Sequence, residues 1–107
     1  MAGALLTDLY ELNMAASYLR RDMAGEAVFS LFIRELPPTR GFLVAAGLED
    51  ALTYLEGFSF ADDDLAYLGT IGFDGDALEA FRRLRFTGDV WAVPEGRIVG
   101  ANEPILE

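Results

Sequence analysis

The segment from Leu5 to Arg21, LLTDLYELNMAASYLRR, places its apolar residues at helical spacing. At about 100° per residue, one stripe along this helix contains Leu5, Leu9, Leu12, Ala16 and Leu19. A second row lies on another side of the helix and contains Tyr10, Met14 and Tyr18. One stripe is enough to dock a helix on its own domain. The second row therefore needs a further partner: more of this chain, another subunit or a flat ligand.

The start of this helix is marked by polar residues. Thr7 lies where an N-cap hydroxyl accepts a hydrogen bond from a free backbone amide. Asp8 and Glu11 place negative charge in the first turn, where the helix dipole favours it. We therefore expect Asp8 and Tyr10 to lie within the first turn.

The next patterned segment, Ala27 to Glu35, is rich in aromatic and β-branched residues and predicts a strand. Strand alternation assigns one face to the core, namely Ala27, Phe29, Leu31 and Ile33. The other face turns polar toward its end and contains Val28, Ser30, Phe32 and Arg34. Pro37 and Pro38 lack amide donors, so a loop follows the strand.

A short buried strand is predicted over Phe42 to Ala45, followed by three helices. The first helix places Leu48, Leu52 and Leu55 at helical spacing and ends near Gly57. For the second helix, Ser59 and Asp62 resemble a capping box, and the buried residues are Leu65 and Leu68. The third helix is expected to be capped by Asp74 or Asp76, with its inward-facing residues being Leu78, Phe81 and Leu84.

The C-terminal part of the sequence predicts a β-hairpin. Val90 to Val93 and Arg97 to Val99 are the two strands, and Pro94-Glu95-Gly96 is the turn. Residues 102–107 resemble the start of another element without a cap or polar tail, so we expect residues 1–107 to be an N-terminal piece of a longer protein. Together these elements predict an α+β fold with several helices and a small, mostly antiparallel sheet.

Composition limits the possible functions. With 107 residues, of which 52% are hydrophobic, the chain suits one compact domain. Its net charge of −10 is the wrong sign for a surface that binds nucleic acid or an anionic membrane. The absence of cysteine and histidine excludes thiolate nucleophiles, Ser/His/Asp catalysis and histidine-bound metals from this chain alone. No apolar run reaches the length of a membrane span, and a cytoplasmic protein is the default expectation.

Three clusters suggest chemistry but have simpler structural interpretations. Asp62-Asp63-Asp64 could bind a metal, yet successive helical residues diverge by about 100° and favour a solvated first turn. The glycines at 69, 72 and 75 match no phosphate-loop spacing, which favours a connector. The arginines at 82, 83 and 85 could clamp a phosphate, but they also complement the C-terminal end of a helix.

For three single residues, the sequence allows both a structural and a functional interpretation. Arg34 is either an edge residue or a cation directed into a cleft. Tyr10 either packs against protein or offers its ring as a stacking surface for a heteroaromatic substrate. Asp8 is either a surface acid matched to the helix dipole or part of a site.

Four segments of the sequence resemble nicotinate phosphoribosyltransferase, a type II phosphoribosyltransferase, in its N-terminal region. They occur in the same order in this chain: LLTDLYELNMAASYLRR, AVFSLFIRELPPTRGFLVAAGLEDALTYLE, RFTGDVWAVPEG and NEPIL. The resemblance implies an enzyme that joins nicotinate to phosphoribosyl pyrophosphate, giving nicotinate mononucleotide and pyrophosphate in NAD salvage. It also implies coupling to ATP hydrolysis, with classification as a ligase, and Mg²⁺ on the phosphates.

The same resemblance implies an architecture and three site residues. The architecture is an N-terminal α/β sandwich-type domain that packs on a TIM-type barrel, in a homodimer with shared active sites. Tyr10 of the T-D-x-Y motif is similar to the aromatic residue that stacks on the pyridine ring. Asp8 is similar to the aspartate at the phosphoribosyl end of the site, and Arg34 to an arginine that meets the phosphates.

The resemblance implies that the barrel, with its phosphate loop, carboxylate-recognising cations and phosphorylated histidine, lies outside these 107 residues; consistently, the chain contains no histidine. We therefore expect the isolated chain to bind neither Mg²⁺ nor ATP by itself, to be inactive, and to expose an apolar surface. Two alternatives remain: a related quinolinate or nicotinamide phosphoribosyltransferase, and a non-catalytic acidic interaction domain.

Overall fold

The computed structural model describes residues 3–107, and these contain four α-helices and one two-stranded antiparallel sheet. Their order is α1 (Leu9–Arg20), β1 (Leu43–Val44), α2 (Leu48–Glu56), α3 (Asp62–Thr70), α4 (Gly75–Arg83) and β2 (Ile98–Val99). The α+β class is confirmed. The chain divides into two compact units, which are residues 3–25 with Tyr54–Phe86 (the first unit) and Glu26–Thr53 with Thr87–Glu107 (the second unit).

The first unit has its own hydrophobic core. Helix α4 packs against both α1 and α3, and the buried residues are Ala4, Ala16, Phe60, Leu65, Leu68, Ala77 and Phe81. The fully buried Phe81 ring stacks on Phe60 at a centroid distance of 5.3 Å and meets Phe73 edge-on at 5.6 Å. This aromatic cluster is the centre of the core, because aromatic side chains bury more apolar area than any other type.

Helix α1 begins later than predicted, and only part of its apolar stripe is buried. Asp8, not Thr7, is the N-cap residue, and the helix starts at Leu9. Leu12 and Ala16 pack into the core as expected. Leu9 and Leu19 are exposed, because α1 contacts the core through the face that contains its small residues Ala15 and Ala16.

The other helices of the first unit start at caps that the sequence only partly identifies. Ser59 does not cap α3, since Ala61 precedes the helix and its amide donates to the Asp64 carboxylate at 2.8 Å. Asp74 is confirmed as the cap of α4, because its carboxylate accepts the amide of Ala77 at 2.9 Å. Leu84 is partly exposed instead of inward, because the helix ends before it and its backbone is extended.

The second unit contains the small sheet, and its pairing differs from the predicted hairpin. Leu43 pairs with Val99 and Val44 with Ile98. The predicted turn is present, with Gly96 at a φ of 83°, a conformation that suits glycine. The segments flanking this turn do not pair with each other, because the returning strand pairs with β1 and Ala92 pairs with Leu106.

The predicted strand from Ala27 to Glu35 is reduced to a single bridge between Leu31 and Leu106. Its expected core face is also wrong, because Phe29 is 81% exposed and Leu31 55%. The physical reason is that this segment bonds along one side, to residues 102–106. Within residues 3–107, nothing covers the exposed side chain of Phe29 or that of Val28.

The exposed surface is larger than a self-contained protein of this size would have. It measures 8246 Å². Size scaling gives roughly 5,900 Å² for one folded domain of this length, and roughly 7,100 Å² for two free-standing domains the size of the two units. Large apolar side chains contribute to this surface, since Val28, Phe29 and Trp91 are each about three-quarters exposed or more, and the prediction of an exposed apolar surface is confirmed.

Candidate functional site

Asp8 lies at the N-terminal end of α1 in an extended conformation. Its backbone amide donates to the Glu11 carboxylate at 3.1 Å, and that carboxylate also accepts the Thr7 hydroxyl. The hydrogen bond from Thr7, followed by that from Asp8, lowers the pKa of Glu11. Glu11 therefore fixes the backbone at this helix start, while the Asp8 carboxylate stays exposed and unpaired with any cation of residues 3–107.

Tyr10 lies in the first turn of α1, on the face of the helix that the core of the first unit leaves uncovered. Its side chain is 60% exposed, and Met14 and Tyr18 along the same row are 46% and 45% exposed. Near the same helix end, a shallow depression is lined by Leu5, Leu6, Thr7, Asp8 and Glu11. The first unit thus presents an accessible aromatic ring two residues from an accessible carboxylate.

Arg34 belongs to the second unit and lies at a bend immediately after the residues that bond to segment 102–106. The Ile33 carbonyl accepts the Asn102 amide at 2.7 Å, which is the last such bond before the bend. The Arg34 side chain is exposed, and it forms no ion pair within residues 3–107. The second unit therefore offers one uncompensated cation where the extended segment ends.

The charged clusters are used structurally, as the simpler interpretations predicted. Arg82 pairs with Asp62, which raises the pKa of Arg82, and Arg83 pairs with Glu79 at 2.8 Å. Arg85 donates to the Arg82 and Leu84 carbonyls near the end of α4. Within the described part of the chain, no three acidic side chains are grouped so as to hold a metal ion.

The prediction that the glycines at 69, 72 and 75 form a connector is right only for Gly72, which makes the turn between α3 and α4 with a φ of 109°. Gly69 lies inside α3, and Gly75 is the first residue of α4. None of these positions combines a strand, a loop and a helix start in the way that a phosphate loop requires.

Two sets of hydrogen bonds that hold the backbone of the second unit were not predicted from the sequence. The Glu95 carboxylate accepts the amides of Gly47 at 2.8 Å and Leu48 at 3.1 Å, at the start of α2. Asn102 adopts a left-handed φ of 62° in a turn where Gly100 donates to the Glu103 carboxylate at 2.7 Å. The turn at Asn102 could have been predicted, because asparagine tolerates a left-handed φ better than most residues. No local pattern indicates the first set.

A family model for the nicotinate phosphoribosyltransferase (NAPRTase) N-terminal domain matches residues 5–107. The chain belongs to this family. Nicotinate phosphoribosyltransferase pncB2 of Mycobacterium tuberculosis H37Rv is 49% identical over 106 residues, which is 98% of this chain and 23% of that protein. The Bacillus subtilis nicotinate phosphoribosyltransferase is 47% identical over 105 residues, covering 96% of this chain and 21% of the relative.

The structural comparison agrees with the sequence comparison. The crystal structure of human nicotinic acid phosphoribosyltransferase matches with a TM-score of 0.79 and 36% identity, over 94% of this chain and 21% of the human one. The predicted resemblance to this N-terminal region is therefore confirmed. The chain spans about a fifth of the length of these relatives. Within residues 3–107, no helix is both long and apolar enough to cross a membrane.

Proposed function

We propose that this chain is the N-terminal domain of an enzyme that joins nicotinate to phosphoribosyl pyrophosphate in NAD salvage. The family match over residues 5–107 carries the proposal. In the reaction, the pyridine nitrogen forms a bond to the anomeric carbon as the bond from that carbon to pyrophosphate breaks. The leaving pyrophosphate keeps the electron pair, so negative charge grows on the phosphates and positive charge on the ribose. Catalysis therefore depends on placed charges and on orientation.

Tyr10 supplies the stacking surface for the pyridine ring in this proposal. An exposed phenol ring on the uncovered face of α1 suits a flat heteroaromatic partner, because offset stacking of such rings is favourable. The exposed row with Met14 and Tyr18 would continue this contact toward other protein, such as a second subunit.

Arg34 binds the phosphates of the ribose donor. A guanidinium presents paired N–H donors that match phosphate oxygens, and that of Arg34 is exposed with no carboxylate partner in residues 3–107. The chain carries a net charge of −10, so a cation that binds a polyanion has to be free of carboxylate partners. Within residues 3–107 Arg34 meets this condition, as do Arg21, Arg40, Arg85 and Arg97.

Asp8 acts at the phosphoribosyl end of the site. A carboxylate repels phosphate, so its favourable contribution is to the ribose, whose anomeric carbon gains positive charge in the transition state. Its place at the start of α1, two residues before Tyr10, allows one helix end to serve both the ring and the sugar.

The remaining parts of the site come from the rest of the polypeptide and from a second subunit. Support for this comes from the excess exposed surface and from relatives that are four to five times longer than this chain. We propose that a TIM-type barrel follows this domain and that a homodimer forms the shared site. Exposed apolar side chains such as Phe29 and Trp91 suit burial against such partners.

ATP coupling, Mg²⁺ and a cytoplasmic location are further elements of the proposal. The described residues do not fit a resident Mg²⁺ site, because Asp62 pairs with Arg82 and Asp64 accepts the Ala61 amide. Nicotinate is preferred over nicotinamide or quinolinate because the compared relatives carry nicotinate in their names.

The test uses the full-length protein that contains this chain, with matched variants. Tyr10→Ala should raise KM for nicotinate by roughly twofold to twelvefold, because a stacking contact of about 0.5–1.5 kcal/mol is lost. Tyr67→Ala removes an exposed tyrosine ring of α3, outside the row with Tyr10, and is the control for general damage to the first unit. Arg34→Ala should raise KM for phosphoribosyl pyrophosphate, and Arg40→Ala serves as its control. Absence of nicotinate mononucleotide formation by the unmodified full-length protein would refute the proposal.

A further inference from the structure

Arg34 is held at one backbone position by a contact from a distant turn. The peptide group that joins Ile33 to Arg34 is planar, so a hydrogen bond to its carbonyl also fixes the plane in which the Arg34 amide lies. Asn102 supplies that bond at 2.7 Å. No other backbone hydrogen bond to this peptide group occurs within residues 3–107. The direction in which Arg34 leaves the extended segment therefore depends on Asn102.

The turn that carries Asn102 has a conformation few residues accept. Its φ of 62° is left-handed, where glycine, asparagine and aspartate are tolerated and β-branched residues are strained. The same turn is closed by the Gly100 amide, which donates to the Glu103 carboxylate at 2.7 Å. Two features thus aim the Asn102 amide at the Ile33 carbonyl: the residue type at 102 and the side-chain closure by Glu103.

We propose that Asn102 is a positioning residue that sets the direction of Arg34 for phosphate binding, and that Glu103 supports it. The inference rests on the proposed role of Arg34 in the proposed function. Bidentate recognition of phosphate depends on the orientation of the guanidinium plane, so a shift of the backbone next to Arg34 weakens it. The Asn102 side chain itself contacts neither substrate nor reacting atoms in this proposal.

The experiment measures KM for phosphoribosyl pyrophosphate, KM for nicotinate and kcat in the full-length enzyme. Asn102→Val should raise KM for phosphoribosyl pyrophosphate roughly tenfold, because a β-branched residue is strained at this φ. KM for nicotinate should stay within about twofold. Asn102→Gly keeps the amide donor and the permitted φ, so it should restore KM to within about twofold of the unmodified enzyme.

A double-variant comparison separates a role through Arg34 from general damage. In the Arg34→Ala background, Asn102→Val should raise KM for phosphoribosyl pyrophosphate no further, because the group it positions is gone. An equal further rise in that background would overturn the inference. If Asn102→Val does not fold, Glu103→Ala, which removes the acceptor of the Gly100 amide, is used in its place, with an expected rise of a few-fold and the same dependence on Arg34.

The outcomes distinguish the inference from the proposed function. If Arg34→Ala raises KM for phosphoribosyl pyrophosphate while neither Asn102→Val nor Glu103→Ala does so, only the positioning role is wrong. If Arg34→Ala leaves that KM unchanged, the phosphate role of Arg34 fails, and the positioning role fails with it. If the unmodified full-length protein does not turn over nicotinate, the proposed function itself is wrong.

Discussion

The two units of this chain bury their apolar residues very differently. The first unit encloses Phe81 completely, within a core to which α1, α3 and α4 all contribute. In the second unit, Ala45 and Val99 are the buried apolar residues among those the structure describes. Its larger side chains are mostly exposed, including Phe29 at 81% and Trp91 at 77%.

The difference indicates that the first unit forms its stabilising contacts largely within itself, whereas the second unit does not. Helix caps in the first unit form over three residues, as between Asp74 and Ala77. Contacts in the second unit join distant segments, as between Gly47 and Glu95 or Ile33 and Asn102. A unit with such long-range contacts and little buried area has a small reserve of stability. We infer that the second unit needs the rest of the protein to cover it.

The largest expected effect comes from exchanging one aromatic residue in each unit for alanine. Phe81→Ala should lower the unfolding free energy of the 107-residue chain by about 3–5 kcal/mol, because it leaves a cavity in the first unit's core. Phe29→Ala should change it by less than about 0.5 kcal/mol, since that ring is exposed. Urea denaturation followed by circular dichroism measures both. Equal losses would show that the second unit has a core of its own.

A smaller effect is expected at the long-range cap of α2. Glu95→Ala should destabilise the second unit by about 1–2 kcal/mol, because two amides at the start of the helix lose their acceptor. Hydrogen exchange of the Gly47 and Leu48 amides should become faster at the same time. Glu56→Ala, an exposed acid at the other end of α2, is the control and should leave both quantities unchanged.

The Asp74 cap of α4 should contribute about as much to the unfolding free energy as a typical N-cap residue does. Asp74→Ala should cost about 1 kcal/mol of unfolding free energy, because the Ala77 amide loses its acceptor. Asp74→Asn keeps an acceptor but removes the exposed ion pair with Arg20, so it should be nearly neutral. Thermal denaturation of the two variants separates the roles, and an equally large loss for Asp74→Asn would assign the effect to the ion pair.

The smallest effect is the pH dependence contributed by Glu11. Its pKa is lowered from 4.5 in the folded chain, chiefly by the Thr7 hydroxyl. Its contribution to stability is therefore present above about pH 4.5 and is lost as the pH falls through the folded pKa. Thr7→Val should raise that pKa, as measured by NMR titration of the side-chain carboxyl group. An unchanged pKa in this variant would show that Thr7 is not the cause.

Local patterns predicted the first unit better than the second. Helical spacing located α3 and α4, and Asp74 was identified as a cap, because both depend on neighbouring residues. The predicted hairpin was wrong because β2 pairs with β1, which lies some fifty residues earlier in the chain. No local sequence pattern indicates a pairing over that distance. The strand from Ala27 was predicted from composition, but a strand also requires partners on its edges and faces.

The candidate site shows the same limit. Periodicity indicated that the row with Tyr10 lies off the stripe that docks α1, and the exposed ring agrees with this. Arg34 was expected where the extended segment ends, and it lies at that bend. The contact from Asn102 was not predictable, because it depends on a turn formed almost seventy residues away.

The most direct test compares nicotinate mononucleotide formation by the full-length protein and by the 107-residue chain, each supplied with nicotinate, phosphoribosyl pyrophosphate, ATP and Mg²⁺. We expect product from the full-length protein and none from the shorter chain, because in the proposed function Tyr10 and Arg34 are only part of a shared site. Turnover by the 107-residue chain would contradict the shared site. Absence of turnover by both would contradict the proposed function.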